Sequence, residues 1–172
     1  MQLLKRLLIV FILISSIFVA LAPAWTFQNE PKTFRGIKWG TNISELSDMI
    51  FHAQQGESKV YFREKDQLIF GDADLLHIWY FFSNDRLYSV VINFEQWSNF
   101  NSLKTELFEI YGLGHSPNRF KEEYRWVGSD VVIFFDYNEL REEGRLSYYY
   151  LPIMKENLNS EKQKAEKSND DL

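Results

Sequence analysis

The chain has no cysteine among its 172 residues. That absence excludes disulfide staples, thiol nucleophiles, a lipid-modified N-terminal cysteine and cysteine-held metals together. Glycine is sparse, at eight. Neither a P-loop nor a G-x-G-x-x-G is present, so the phosphate-cradling turns of nucleotide-binding folds are missing. H-x-H, H-E-x-x-H and G-x-S-x-G are absent as well, which removes the main support for metalloprotease and nucleophile-elbow chemistry. Basic charge is also short, with 19 Lys and Arg against 24 Asp and Glu, a net charge of −5. With no basic stripe to neutralise phosphates, nucleic acid is not an expected partner.

What is present begins with an address. Lys5 and Arg6, an apolar run from Leu7 to Leu21 and Ala22-Pro23-Ala24 are the three parts of a secretory signal. Residues 1–24 are therefore expected to be a signal peptide, cleaved before Trp25 to release an exported, periplasmic protein. The alternative is an uncleaved inner-membrane anchor, because Leu7 to Ala24 is eighteen residues, near the lower limit for a span. Membrane contact is expected only in that case. Without residues 1–24 the chain keeps 148 residues, enough for one domain, with 17 basic against 24 acidic side chains and a net charge of −7. From Lys155 to Leu172 the sequence is charged, free of aromatics and poor in apolar residues. Residues 155–172 read as a disordered tail, with a docking helix as the alternative.

Between these ends the spacing predicts a single α+β domain over 25–154. Ile43, Leu46, Met49 and Ile50 recur at helical spacing, as do Phe100, Leu103, Leu107, Ile110 and Tyr111, with Gly112 as a stop. Strand-like segments follow each: Lys59–Arg63, a short Gln67–Phe70, Leu76–Phe82 and Arg86–Phe94 in the first half, then Tyr124–Val127, Val131–Tyr137 and Arg145–Leu151 in the second. Asn84-Asp85 and Gly128-Ser129 read as tight turns, and the stretch from Asn138 as a longer polar loop. The simplest assembly is two α-β-β-β repeats, about 34–95 and 98–152, forming a largely antiparallel sheet with both helices on one face.

The stretch "FRGIKWGTNISEL", Phe34 to Leu46, reads as a structural opening. Asn42 with Glu45 three residues on is a capping box, Gly40 lets the chain turn, and Trp39 is placed to plug the core. "FRGIKWGT", "FEIYG" and the ending "W...VVIFFDY...RLSYYYLP" resemble a group of small exported proteins of Gram-negative bacteria. In plan, two α-β units on one sheet are remotely similar to β-lactamase inhibitor proteins and to the small lipoproteins of outer-membrane assembly, both of which have cysteines this chain lacks. The resemblance implies a compartment and a repeat architecture, and no functional residue.

Chemistry-bearing residues are scattered. His52, His77 and His115 are far apart in sequence. The one compact cluster is "GDADLLH", whose Asp72, Asp74 and His77 could serve a metal-dependent enzyme or small hydrolase, although an Asp-rich turn after glycine is ordinary turn chemistry. Aromatics are the anomaly, with 27 of the 29 lying after residue 24. A two-residue turn at Asn84-Asp85 would set Tyr80 opposite Ser89 and Trp79 opposite Val90, putting Trp79, Phe81, Tyr88, Val90, Ile92 and Phe94 on the core face. The other face would carry Tyr80, Phe82 and Asn93, continued by Phe134, Asp136 and Tyr149. Aromatics mixed with Ser, Asn and Asp on an uncovered face compose a recognition surface, unless a dimer partner, a long loop or a shifted register hides them. The leading expectation is thus a non-catalytic binding module without cofactor. Its binding residues are Tyr80, Phe82, Phe134, Tyr149, Asn93 and Asp136, and its partner is an envelope protein or an apolar or glycan ligand, with a homodimer as a further option.

Overall fold

The structure is a computed structural model that describes residues 27–170, so the expected signal segment and the start at Trp25 lie outside the described residues. The chain opens with a small hairpin, β1 (Thr33–Phe34) and β2 (Ile37–Lys38), followed by a 3-10 turn at Ile43–Glu45. Next come β3 (Met49–Gln55), β4 (Ser58–Arg63), a second small hairpin of β5 (Ile69–Phe70) and β6 (Ala73–Asp74), then β7 (His77–Ser83) and β8 (Arg86–Glu95). Helix α1 (Trp97–Tyr111) leads to β9 (Glu122–Val127), β10 (Val131–Asn138), β11 (Glu143–Tyr150) and helix α2 (Leu151–Asp170). Seven strands form one antiparallel sheet in the order β3-β4-β7-β8-β11-β10-β9, so the class is α+β. β8 and β11 join the two halves at its centre.

One face of this sheet is covered by α1, which buries Phe100, Leu103, Leu107 and Tyr111. Phe100 stacks on Phe135 and on Tyr137, each at 5.0 Å between ring centres. Gly112 ends α1 as expected, with φ +79° and its N–H returned to the Phe108 carbonyl. The opening hairpin packs on another part of that face. Arg35 and Gly36 both take positive φ at its tip, Phe34 packs on Tyr80 and Tyr148, and Trp39 stacks on Tyr148 and Tyr150. The Arg35 guanidinium reaches Asp66 at 2.9 Å and the carbonyls of Gln67 and Ile69, while Tyr80 donates to the same carboxylate at 2.5 Å. The F-R-G-I-x-W-G opening is thus a clasp between the hairpin and the loop before β5.

The expected first helix is a single 3-10 turn. Its capping box forms as predicted, Asn42 accepting from the Ser44 N–H and Glu45 accepting from the Asn42 N–H, but Leu46 is already extended and Met49 begins β3. Two turns of apolar spacing fit a helix or an edge strand equally, and Met49 to Phe51 pair with β4, the register shifting at His52. The first half therefore contains no α-helix, and the α-β-β-β order exists only in the second half.

The charged end also departs from expectation. Residues 155–170, expected to be a tail, continue α2, a stretch rich in the good helix formers Lys, Glu and Gln with Pro152 near its start. Ile153 is buried, Asn157 accepts from the Ser83 hydroxyl at 2.7 Å, and Glu156 pairs with Arg86. Beyond these first turns, Leu158 to Ser160 are exposed.

The hairpin between β7 and β8 decides which side chains face α1. Asn84 and Asp85 adopt φ of +47° and +60°, the two-residue turn that was expected, and Ser83 pairs with Arg86. The register then shifts: Phe82 pairs with Leu87, but Phe81 pairs with Ser89, leaving Tyr88 as an extra residue. Tyr80 consequently opposes Val90, and Trp79 opposes Val91. A one-residue bulge exchanges the faces of everything beyond it on the partner strand. The expected assignment of β7 is therefore inverted. Tyr80 and Phe82 are 0% and 1% exposed in the core, and Trp79 and Phe81 look outward.

Candidate functional site

The face away from α1 is built from three cross-strand rows, each running over β7, β8, β11, β10 and β9. The pairing aligns Phe81, Ser89, Tyr149, Val132 and Val127 in the first row and Trp79, Val91, Ser147, Phe134 and Arg125 in the second. The third is polar throughout: His77, Asn93, Arg145, Asp136 and Glu123. Period-two alternation makes these rows inevitable once the register is set, because the neighbouring residues on every strand point into the core.

Four of the six expected binding residues, Phe134, Tyr149, Asn93 and Asp136, lie together and half-buried on this face. Tyr80 and Phe82 belong to the covered face and are removed from the site. Their places are taken by Trp79 and Phe81, which sequence reasoning assigned to the core because the Tyr88 bulge leaves no mark such as a glycine. Arg145 and Arg125 were also missed. Arg145 had a readable signal, since it precedes Ser147 and Tyr149 at spacings of two and four.

Two concavities adjoin on this face. The larger, about 530 Å³, lies over Arg125, Phe134, Asp136, Arg145 and Ser147. The smaller, about 390 Å³, lies over Phe81, Tyr88, Ser89 and Val91, and the two share Arg145 and Tyr149. Phe134 and Tyr149 meet edge to face at 5.9 Å, and the Arg125 guanidinium stands 5.5 Å over the Phe134 ring. Arg145 reaches Asp136 at 3.4 Å, a long contact between partly exposed groups that contributes little. Burial pushes the Asp136 carboxyl above its ordinary range, against the opposing pull of Arg145. Tyr88 is held across the sheet by its hydroxyl, 2.8 Å from the Ser58 hydroxyl.

At the β4 side of the face, Trp79 is flanked by two imidazoles, His52 with its ring centre 4.4 Å away and His77 at 5.1 Å. The structure places His77 in this tilted ring contact. Asp72 and Asp74 are exposed around the β5–β6 turn, and among the described residues no group of three His, Cys, Asp or Glu side chains is arranged to hold a metal ion. Nor is any helix among them long and apolar enough to cross a membrane.

No protein-family model, no curated protein and no solved structure matches this chain.

Proposed function

We propose that this chain is a non-catalytic binding module of the bacterial periplasm that holds its ligand on the open face of the sheet. The observation that carries this reading is the arrangement of polar groups in a row. His77, Asn93, Arg145, Asp136 and Glu123 occupy successive strands, roughly 4.8 Å apart, alongside the half-buried rings of Trp79, Phe81, Phe134 and Tyr149. Catalysis asks for groups converging on one reacting atom, whereas an extended row beside aromatic rings suits contact with an extended ligand. The two concavities fall within the 300–1,000 Å³ range typical of ligand sites. The periplasmic address rests on the Lys5-Arg6 start, the apolar run and Ala22-Pro23-Ala24.

The test is a ligand screen with glycan and peptide libraries, comparing the wild type with Arg145→Ala/Tyr149→Ala. Binding that the double variant loses while its melting temperature stays within a few degrees supports the reading. Binding that survives the double substitution contradicts it.

A further inference from the structure

We infer that the open face takes a neutral oligosaccharide, whose sugar ring stacks on Tyr149 and sends a hydroxyl to Ser89; this rests on the binding reading above. The distinctive observation is Ser89. It is 1% exposed, and among the described residues its hydroxyl has no hydrogen-bond partner although it lines the smaller concavity beside Tyr88, Arg145 and Tyr149. Buried hydroxyls are nearly always partnered, so an orphan lining a concavity is a group that a ligand can satisfy. Arg145, with a side chain 57% exposed and 3.4 Å from Asp136, borders both concavities.

Charge and shape choose among ligands. Around the two concavities Arg125 and Arg145 balance Glu123 and Asp136, so neither an acidic nor a basic ligand gains from the site, whereas a neutral polyol does. An apolar peptide or acyl chain would cover the polar row of Asn93, Arg145 and Asp136 without satisfying it. Sugar hydroxyls both donate and accept, which matches a guanidinium and a carboxylate held side by side as well as an unpartnered serine. Tyr149 is half-buried and stands near-perpendicular to Phe134, making the corner at which the two concavities join. A ligand of linked rings fits that junction, one ring on either side.

The test is calorimetric titration of wild type, Ser89→Ala and Tyr149→Ala with cellotriose, maltotriose and triacetylchitotriose, together with thermal melts. At least one trisaccharide should bind. Ser89→Ala should weaken it about tenfold while melting no lower than the wild type, because the substitution removes a hydroxyl that the free protein leaves unsatisfied. Tyr149→Ala should abolish binding. Absence of binding by all three sugars overturns the saccharide assignment, and equal affinity in Ser89→Ala overturns the contact with Ser89. If sugars fail but a library peptide binds in a Tyr149-dependent way, the module reading survives and the ligand class does not. If no ligand depends on Tyr149, both fall.

Discussion

The two faces of the seven-stranded sheet are both rich in aromatic rings, yet their surroundings differ. On the face under α1, Tyr80, Phe82, Phe94, Phe135 and Tyr148 are each no more than 1% exposed and pack against aliphatic and aromatic neighbours. On the open face, Trp79, Phe81, Phe134 and Tyr149 are half-buried among serines, an asparagine and two arginines. Parity along the strand separates the two sets, so adjacent rings such as Phe81 and Phe82 have opposite roles. Rings under α1 hold the fold. Open-face rings are supported by the same backbone but keep part of their surface exposed.

This contrast breaks first, and with the largest effect, at Tyr80. Tyr80→Ala would empty a buried site and deprive Asp66 of its 2.5 Å hydrogen bond, at a cost of about 3–5 kcal/mol in urea unfolding. A loss below about 1 kcal/mol would mean that β7 is not in the register seen here. Gly144→Ala probes the covered face from the backbone side, since a methyl there would run into the Phe94 ring, itself buried and packed on Phe135. Overpacking of this kind costs about 1–3 kcal/mol. A neutral result would show that the ring has room to move.

Two smaller effects lie at the sheet's ends, outside both faces. The Glu30 carboxylate accepts from the backbone N–H groups of Ser129, Asp130 and Val131 and from the Ser129 hydroxyl, pinning the N-terminal arm to the β9–β10 turn. Partial burial alone would raise its pKa, but those donors outweigh burial and hold the carboxyl below its ordinary 4.5. Stability from a depressed carboxyl is present above the unfolded value and is lost as pH falls through the folded one. Glu30→Gln should therefore cost roughly 1 kcal/mol at neutral pH, after allowing for solvent screening, and less below about pH 4. Urea midpoints measured against pH check this, and an equal loss at acid pH would contradict it. Removing residues 161–172 should change stability by less than about 0.5 kcal/mol, whereas a cut before Lys155 also removes the Asn157 and Glu156 contacts and should cost about 1 kcal/mol more. Thermal melts of the two truncations compare them directly, and an equal loss would place those contacts outside the folding energetics.

Much of this architecture was legible in the sequence. Alternation placed Phe134, Asp136, Ser147 and Tyr149 on one face, helical spacing and Gly112 bounded α1, and Asn84-Asp85 announced its turn. The unreadable parts depended on partners distant in the chain. Whether Ile43 to Ile50 coils or pairs is settled by β4, whether the charged end forms a docked helix depends partly on Ser83 and Arg86, and the Tyr88 bulge exists only in relation to β7. That bulge alone moved Tyr80 and Phe82 out of the site and brought Trp79 and Phe81 in.

The most direct measurement of the division between faces pairs melting temperature with ligand affinity for Tyr149→Ala, using Tyr80→Ala as the reference. Tyr149→Ala should lose binding and melt within a few degrees of the wild type, while Tyr80→Ala should melt far lower. If Tyr149→Ala melts as low as Tyr80→Ala, or keeps full affinity, the open face is not a binding surface.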